Sequence, residues 1–231
     1  MKNKYINIGI PSKGRLKQET ILVFNKRKLN FSKDKRNLIG KIINQPKNLP
    51  EIRIVYLHAR ECIDQLSLNN LDLCFSGLDL LKESEVNVQK NIIIQKKLNF
   101  GKATLVLAIP DIWIDVQTLL DLDEVAEEFR KKKKRLLRIA TKYPNLTRQF
   151  LYSKGLTQFE LVKSLGSTEV APYTGTAEIV SDITSSGSTL ASNNLRILKD
   201  GKILQSEACI FVNKQSFKSQ SIKRIIKILS K

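Results

Sequence analysis

A chain of 231 residues is long enough to bury a sizeable core in one or two domains. It carries 40 Lys and Arg against 22 Asp and Glu, a formal net charge of +18, which favours nucleic acid or anionic nucleotides as partners. Three widely spaced cysteines argue against a disulfide framework, one histidine cannot form a His-based metal site, and no apolar run is long enough for a signal peptide or a membrane span. We therefore expect a cytoplasmic protein.

Hydrophobic periodicity along the chain predicts strands and helices in alternation. The predicted strands are 5–10, 52–57, 71–75, 91–95, 104–109, 136–140, 159–163, 179–183, 195–204 and 208–212. The predicted helices are 16–26, 61–67, 145–155, 172–179 and 216–229, with one helix or two in 116–134. Alternation of this kind indicates an α/β fold.

The one dense basic run, RKKKKR at 130–135, directly follows the acidic segment 121–129. Acids early and bases late on one helix complement its dipole, which favours a solvated helix end. The sequence has no zinc-finger spacing and no RNA-recognition signature, so a nucleic-acid patch is the weaker interpretation. A basic nucleotide- or nucleic-acid-binding module without catalysis stays as the alternative function.

The stretch 166–195 is the most informative part of the chain. An apolar run, 179–183, carries Asp182 and opens into a turn, 184–189, that contains five hydroxyl side chains and one glycine. Such a turn after a buried strand presents backbone N–H groups and hydroxyls to an oxyanion, and the acid before it can accept hydrogen bonds from sugar hydroxyls. The pattern indicates a cradle for ribose 5-phosphate, although a Ser/Gly turn after a strand is more often only a turn.

Further segments, in the same order along the chain, make a resemblance to a known family. These segments are IPSKGRL (10–16), LDLCFSGLDLL (71–81), KKLNFGKATLVLA (96–108), RIATKYPNLTRQF (138–150), GS-x-E-x-AP (166–172) and DITSSGSTL (182–190). Together they closely resemble ATP phosphoribosyltransferase, and the resemblance covers essentially the whole chain. It implies a two-lobed α/β architecture like that of type II periplasmic binding proteins, with the active site in the cleft between the lobes.

The resemblance also implies how the chain is divided and what it assembles with. The first lobe is expected to contain 1–100 and 184–231, and the inserted second lobe, 101–183, to carry most of the phosphoribosyl pyrophosphate site. The chain resembles the short form of the family, which lacks the C-terminal regulatory domain. Implied partners are a regulatory subunit related to histidyl-tRNA synthetase and a second catalytic chain in a homodimer, with neither membrane nor nucleic acid.

The implied reaction is the first step of histidine biosynthesis. ATP and 5-phosphoribosyl 1-pyrophosphate form 1-(5-phosphoribosyl)-ATP and pyrophosphate, by direct displacement at the anomeric carbon. Catalysis then consists chiefly of positioning and of stabilising the departing anion. Mg²⁺ is expected to arrive on the pyrophosphate rather than in a protein site.

The resemblance implies a role for each matching residue. The expected catalytic cations, which grip the leaving pyrophosphate, are Lys13, Arg15 and Arg36. The expected substrate-binding residues are Asp79, Lys142, Tyr143, Glu169, Asp182, Ser185, Ser186, Gly187, Ser188 and Thr189. Arg15 can bind pyrophosphate in bidentate fashion, whereas Lys13 supplies a compact point charge.

Within the substrate-binding set, the expected contacts differ. Asp182 binds the ribose hydroxyls, and the hydroxyl-rich turn binds the 5-phosphate. Glu169 helps to hold the ribose or to orient that turn, and a purely structural role is equally open. Asp79 lies near the nucleotide, although SGLD is also an ordinary helix N-terminus. Lys142 and Tyr143 precede a proline and contact a nucleotide.

Several positions depart from the family pattern, and two of them bear on the site. His58 stands where the family has arginine, after the strand IRIVYL, and an arginine follows at Arg60. If the strand continues that far, both side chains point to one face and Arg60 can substitute for the missing guanidinium. Ser186 replaces a threonine before Gly187 and keeps the hydroxyl.

Overall fold

The computed structural model describes residues 5–32, 39–164 and 166–230. The chain divides into two compact units: unit 1 contains Met1–Gly101 and Glu207–Lys231, and unit 2 contains Lys102–Ser206. Each unit is built around a β-sheet of its own. None of the described helices is long and apolar enough to cross a membrane.

The described elements alternate as the hydrophobic pattern predicts. The strands are β1 (Tyr5–Pro11), β2 (Ile39–Lys41), β3 (Glu51–Leu57), β4 (Leu73–Gly77), β5 (Ile92–Lys97), β6 (Ala103–Pro110), β7 (Leu137–Thr141), β8 (Phe159–Lys163), β9 (Ile179–Thr184), β10 (Leu195–Ser206) and β11 (Ala208–Asn213). The helices are α1 (Gly14–Lys26), α2 (Ala59–Ser67), α3 (Leu78–Glu83), α4 (Val86–Lys90), α5 (Leu119–Lys133), α6 (Pro144–Ser153), α7 (Ser188–Ala191) and α8 (Gln220–Leu229).

The sheet of unit 1 has six strands in the order β2-β3-β1-β4-β11-β5. Its three neighbouring strands β3, β1 and β4 are parallel, so their carboxyl ends lie at one edge of the sheet, where α/β proteins place their functional loops. The last helix, α8, packs one apolar face against the core of this sheet. The buried residues of that face recur about once per helical turn: Ile222, Ile225, Ile226 and Leu229. Burying each such side chain contributes about 1.5–3 kcal/mol.

The sheet of unit 2 has five strands in the order β10-β6-β9-β7-β8. β7 is parallel to β8 and β9, whereas β6 is antiparallel to β9 and β10. One large core packs against α5 and α6 and includes Leu107, Ile109, Leu122, Ile139, Leu151 and Ile179. A second cluster of smaller side chains includes Val106, Ala108, Ala140, Ala177 and Val180.

The division into units differs from the one expected from the sequence. Residues 184–206 were expected in the first lobe, but they belong to unit 2 because β10 pairs with β6 from Leu195 to Ser206. The chain therefore leaves unit 2 after β10 rather than after β9. The first boundary differs by only one residue, since unit 1 extends to Gly101.

One predicted helix, 172–179, is wrong. A 3₁₀ turn, Thr168–Val170, is followed by turns that run to β9. Gly175 adopts a positive φ of 69°, and the Thr174 hydroxyl donates to the carbonyls of Val170 and Ala171 at 3.3 and 3.2 Å. A left-handed residue and side-chain bonds to the backbone favour a turn over a helix.

The other predicted helices and all ten predicted strands are present, with shifted ends. The segment 116–134 forms one helix, α5, because Thr118 and Asp121 make a capping box that starts it at Leu119. The last helix begins at Gln220 and is preceded by a 3₁₀ turn, Ser216–Lys218. Four short elements, namely β2, α3, α4 and α7, were not predicted from the sequence.

Candidate active site

A pocket of about 280 Å³ in unit 2 collects most of the residues predicted to bind phosphoribose. Its lining residues are Glu169, Asp182, Ile183, Thr184, Ser185, Ser186, Ser188, Thr189 and Leu190. The two carboxylates come from the 3₁₀ turn and from β9, and the hydroxyls come from the end of β9, the loop that follows it and the start of α7. The local sequence pattern and the three-dimensional structure therefore agree on this part of the site.

The hydroxyl loop, residues 184–189, is shaped by hydrogen bonds within itself. Gly187 has a positive φ of 79°, a conformation that favours glycine, and its N–H donates to the Thr184 hydroxyl at 2.8 Å. The hydroxyls of Ser186 and Ser188 lie 2.9 Å apart. The chain thus turns sharply into α7 and leaves several hydroxyl groups on the pocket wall, where they can donate to an anion.

Asp182 is held between opposing electrostatic influences. Burial raises the pKa of its carboxyl, and the negative charge of Glu169 raises it further. The Ile183 N–H, which donates to Asp182 Oδ1 at 2.9 Å, and the positive charge of Lys142 both lower that pKa. Lys142 does not line the pocket, but its charge acts on the carboxylate that does.

Tyr143 is only 6 % exposed and does not line the pocket. It precedes Pro144, the first residue of α6, and its N–H donates to the Thr141 hydroxyl at 2.9 Å. The proline suits this position because the first residue of a helix has no N–H to satisfy within the helix. Contact between Tyr143 and a nucleotide stays a prediction.

In unit 1, the predicted cations follow the first strand, at the carboxyl edge of the parallel strands. Lys13 is the residue before α1, and Gly14 begins that helix with a positive φ of 71°. The Arg15 side chain is 73 % exposed and makes a loose pair with Glu19, in which the nearest atoms are 3.8 Å apart. Both cations are exposed, so an anion can reach them without displacing a buried contact.

Asp79 is the second residue of α3, the helix that directly follows the parallel strand β4, and it is only 6 % exposed. Its carboxylate folds back over Gly77: a Cβ atom added to that glycine would lie 2.3 Å from Asp79 Oδ1. Glycine at this position therefore makes room for the acid. The sequence signal for this arrangement is the pairing of a glycine and an acid in SGLD, which is also typical of a helix start.

The condition under which His58 and Arg60 would point to one face of a strand is not met. β3 ends at Leu57, and α2 begins at Ala59. His58 caps that helix, with Nδ1 accepting from the Arg60 N–H at 3.4 Å. Arg60 is exposed on the first turn of α2, still at the carboxyl edge of the parallel strands, and its substitute role stays a prediction. Arg36 lies outside the described residues.

Two kinds of residue in unit 2 were not predicted from the sequence. Thr184 lines the pocket and fixes the hydroxyl loop, yet only the residues after it were assigned a role. Thr141, Thr147 and Ser181 form a buried chain of hydroxyls in which Ser181 directly precedes Asp182. No local pattern marks these three, because residues as far apart as 147 and 181 meet only in the folded sheet.

Comparisons with known proteins identify the family. A sequence model of the HisG ATP phosphoribosyltransferase family matches residues 59–231. An ATP phosphoribosyltransferase of Brucella suis is 40 % identical over 223 residues, which cover 95 % of each chain. The solved ATP phosphoribosyl transferase (HisG:HisZ) complex from Thermotoga maritima is similar in structure, with a TM-score of 0.72, 25 % identity, and coverage of 97 % of this chain and 96 % of that one.

The fold is shared more widely. A probable amino-acid transporter binding protein from Bacillus subtilis superposes with a TM-score of 0.54 at 13 % identity, covering 98 % of this chain and 96 % of that one. This likeness confirms the expected architecture of the periplasmic-binding-protein type.

The alternative of a binding module without catalysis is not favoured, because the family match and the 40 % identity both point to an enzyme. The chain belongs to the ATP phosphoribosyltransferase family, the pentosyltransferases that join ATP to phosphoribosyl pyrophosphate in the first step of histidine biosynthesis.

Proposed function

We propose that the pocket of unit 2 binds the ribose 5-phosphate part of phosphoribosyl pyrophosphate. The observation that carries this proposal is the lining of the pocket, which combines two carboxylates with a loop of hydroxyls. A phosphate needs several donors, and a ribose with two free hydroxyls needs acceptors. The pocket offers both kinds of group.

The hydroxyl loop has the chemistry of a phosphate site. Ser185, Ser186, Ser188 and Thr189 line the pocket, and each can donate one O–H to a phosphate oxygen. Charge-assisted hydrogen bonds of this kind are roughly twice as strong as neutral ones. The bond from Gly187 to the Thr184 hydroxyl keeps the loop turned toward the pocket before substrate binds.

Asp182 is the proposed acceptor for the ribose hydroxyls. Its carboxylate already accepts one backbone N–H through Oδ1, so further lone pairs are available to the sugar. The positive charge of Lys142 favours the ionised form that this role requires. Glu169, on the same pocket wall, is proposed to hold the ribose or to orient the loop.

The leaving pyrophosphate is assigned to the exposed cations of unit 1. The departing group gains negative charge as the bond to the anomeric carbon breaks, so cations that strengthen their contacts at that moment lower the barrier. Arg15 supplies two parallel donors and Lys13 a mobile ammonium. Arg36 is proposed for the same work, Asp79 for contact with the nucleotide, and Arg60 for the contact of the missing arginine.

Mg²⁺ is proposed to be bound through the pyrophosphate oxygens of the substrate. Among the residues that the structure describes, no group of three or more His, Cys, Asp or Glu side chains could hold a metal ion. Mg²⁺ ordinarily keeps several waters and binds with substrate phosphates and only one or two carboxylates. The ion would neutralise charge on the leaving group, which is the part of the chemistry that the cations share.

A regulatory subunit is proposed as the partner of this chain. The Thermotoga maritima structure to which it is similar is a HisG:HisZ complex. By this likeness we expect a hetero-oligomer with a HisZ-type subunit. That this subunit is related to histidyl-tRNA synthetase, and that the catalytic chains form a homodimer, stay predictions from the sequence resemblance. A cytoplasmic location is proposed with it, since ATP and phosphoribosyl pyrophosphate are intracellular metabolites.

The test combines product formation with binding. Purified chain is mixed with ATP, phosphoribosyl pyrophosphate and Mg²⁺, with and without the regulatory subunit, and phosphoribosyl-ATP is measured. Calorimetry then compares phosphoribosyl pyrophosphate binding to the wild type, to a Ser185→Ala/Ser188→Ala double variant, and to Ser192→Ala. Ser192 is the matched control, because it directly follows α7 and does not line the pocket.

We expect the double variant to bind at least about a hundredfold more weakly, since each hydrogen bond removed from a charged group contributes about 1.5–3 kcal/mol. The control is expected to bind as the wild type does. Equal affinity of the double variant and the wild type would show that the phosphate lies elsewhere.

A further inference from the structure

Three hydroxyl side chains form a buried network in unit 2, two of them next in the chain to residues of the proposed site. Thr141 ends β7, Thr147 lies in α6, and Ser181 lies in β9, and each is 0 % exposed. The Thr147 and Ser181 hydroxyl oxygens lie 2.7 Å apart, and those of Thr147 and Thr141 lie 3.4 Å apart. We call these three residues the hydroxyl network.

The network connects three elements that are distant in the sequence. Thr141 and Ser181 face each other in the register of the parallel pair β7–β9, and Thr147 joins them from the helix above. The Thr141 hydroxyl also accepts the Tyr143 N–H at 2.9 Å, and the Thr147 N–H donates to the Tyr143 carbonyl at 3.0 Å. The turn between β7 and α6 is thereby fastened to both strands.

Packing alone does not explain three hydroxyls at these positions. A buried hydroxyl loses its hydrogen bonds to water and regains at most a small net stabilisation from a protein partner. Valine or alanine would fill similar volumes without that desolvation cost. A fully satisfied buried network restricts side chains to one arrangement, so its advantage lies in position rather than in stability.

The residues that the network positions are the ones that directly follow Thr141 and Ser181 in the chain. Lys142 directly follows Thr141, and Asp182 directly follows Ser181. Because successive side chains of a strand alternate between its faces, a Ser181 hydroxyl that faces α6 directs Asp182 to the other face, where it lines the pocket. The charge of Lys142 acts on that same carboxylate.

We infer that Thr147, acting through Thr141 and Ser181, is a positioning residue for the ribose contact. The network fastens the end of β7 to β9 at Ser181, so that Asp182 and Lys142 keep one spacing and one orientation toward the ribose hydroxyls. Thr147 itself touches no substrate. This inference rests on the proposed role of the pocket and adds to it the buried residues that set its geometry.

The experiment compares Thr147→Val with Thr147→Ser. Valine keeps the shape and removes the hydroxyl, whereas serine keeps the hydroxyl and removes a buried methyl. For the valine variant we expect the Kd and the KM for phosphoribosyl pyrophosphate to rise about tenfold, the scale of one missing buried hydrogen bond. The serine variant is expected to stay within about twofold of the wild type. The KM for ATP is expected to be unchanged in both variants.

The matched control is Thr20→Val. Thr20 is also a fully buried threonine in a helix, but its hydroxyl has no hydrogen-bond partner within the described part of the chain. Its replacement should leave phosphoribosyl pyrophosphate binding unchanged. Thermal midpoints measured for every variant show how much each substitution affects the fold, and Ser181→Ala, which removes the other end of the 2.7 Å bond, replaces Thr147→Val if the latter does not fold.

The outcomes separate this inference from the proposal on which it rests. If the serine variant loses as much affinity as the valine variant, Thr147 acts through its packing and the inference is overturned. The same holds if Thr147→Val, or Ser181→Ala in its place, binds as the wild type does while Asp182→Asn binds weakly. If Asp182→Asn also binds as the wild type does, the pocket proposal itself fails.

Discussion

The two units present their proposed site residues in different ways. In unit 2, hydrogen bonds hold the pocket before any ligand arrives: Gly187 donates to the Thr184 hydroxyl at 2.8 Å, and Thr147 bonds Ser181 at 2.7 Å. In unit 1, Arg15 is 73 % exposed, and its ion pair with Glu19 spans 3.8 Å. One unit offers a preformed cradle, and the other offers side chains that must be ordered by the anion.

This difference indicates a division of labour. A preorganised pocket loses little conformational entropy when substrate binds, so its contacts appear as affinity for the ground state. Long exposed cations lose conformational entropy when they are fixed. Their attraction to the leaving group offsets this loss most in the transition state, where the negative charge of that group is growing. Substitutions in unit 2 should therefore act mainly on binding, and substitutions in unit 1 mainly on the rate of the chemical step.

The largest effect is expected for Arg15→Ala. Loss of one donor to the developing pyrophosphate should slow single-turnover product formation about 10²–10³-fold at saturating substrates. Arg15→Lys should recover part of the rate, because lysine restores the charge but not the two parallel donors. Lys26→Ala, in the last turn of the same helix, is the control and should be unaffected. An unchanged rate for Arg15→Ala would assign the role to Lys13 or Arg36. It would also show that Arg15 is no example of a unit 1 residue that acts on the rate of the chemical step.

Asp182→Asn should affect binding instead. Removing a charged acceptor should weaken phosphoribosyl pyrophosphate binding about tenfold to a hundredfold, since hydrogen bonds to charged groups contribute about 1.5–3 kcal/mol. Calorimetry of the variant measures this loss. The rate of the chemical step at saturating substrate should fall much less than the affinity. The opposite pattern, with a slower rate and unchanged binding, would reverse the roles of the two units.

Asp182→Asn should raise the free energy of unfolding of the chain without substrate. The direction of this change follows from the pKa of Asp182. Burial raises that pKa above its ordinary value, so the folded state prefers the protonated carboxyl. The stabilisation from that proton is complete below the ordinary pKa and is lost as the pH rises through the folded value. At neutral pH the ionised carboxylate destabilises the fold, and asparagine removes this cost. A thermal midpoint below that of the wild type at neutral pH would contradict the assignment.

The local parts of this picture could be predicted from the sequence. Alternating apolar residues such as Ile6, Ile8 and Ile10 mark a buried strand because each side chain fills the same core. The hydroxyl loop was also predictable, since its function lies in consecutive residues. The helix predicted for 172–179 does not form because a positive-φ glycine and hydroxyl bonds to the backbone favour turns there.

The non-local parts could not be predicted. β10 pairs with β6 across more than eighty residues of chain, and only that pairing decides that 184–206 belong to unit 2. Likewise, Thr147 and Ser181 are 34 positions apart, and the sequence around either residue does not predict the hydrogen bond between them. The register between two distant strands depends on how the apolar faces of the whole sheet pack. A short stretch of sequence carries no information about that packing.

A smaller effect, confined to stability, is expected for Glu178→Gln. Glu178 lies at the other end of β9 from the pocket and accepts from Arg138 and Arg135 at 2.7 and 2.9 Å. Burial alone would raise the pKa of this carboxyl, but the hydrogen bonds from Arg138 and Arg135 outweigh it and lower the pKa to about 2. After allowance for solvent screening, the variant should lose about 1–2 kcal/mol of unfolding free energy near neutral pH.

The pH dependence of this loss checks its origin. A carboxyl with a lowered pKa stabilises the fold above its ordinary pKa, and that stabilisation disappears as the pH falls through the folded value of about 2. The difference between Glu178→Gln and the wild type should therefore shrink as urea unfolding is repeated at successively lower pH. Phosphoribosyl pyrophosphate affinity should be unchanged in the variant. Weaker binding would show that affinity follows the stability of unit 2 as a whole rather than the geometry of the pocket.

The smallest effect is expected in the basic run at the end of α5. Lys131 pairs with Glu127 at 2.7 Å and Lys132 pairs with Glu128, and all four side chains are exposed. Exposed pairs of this kind contribute little, because water screens the charges and both side chains lose freedom. A Lys131→Ala/Lys132→Ala variant should match the wild type in thermal midpoint, in phosphoribosyl pyrophosphate affinity and in rate.

This variant also separates substrate recognition from general attraction to anions. Binding to random DNA, titrated with salt, should be weak for both proteins and should share one salt dependence, since a solvated helix end makes no specific interaction with phosphates. A nucleic-acid surface at this run would instead give tight binding by the wild type and a shallower salt slope in the variant, by about one unit for each phosphate that the variant no longer neutralises. The net charge of +18 would then act through α5, and not only through the exposed cations that follow β1.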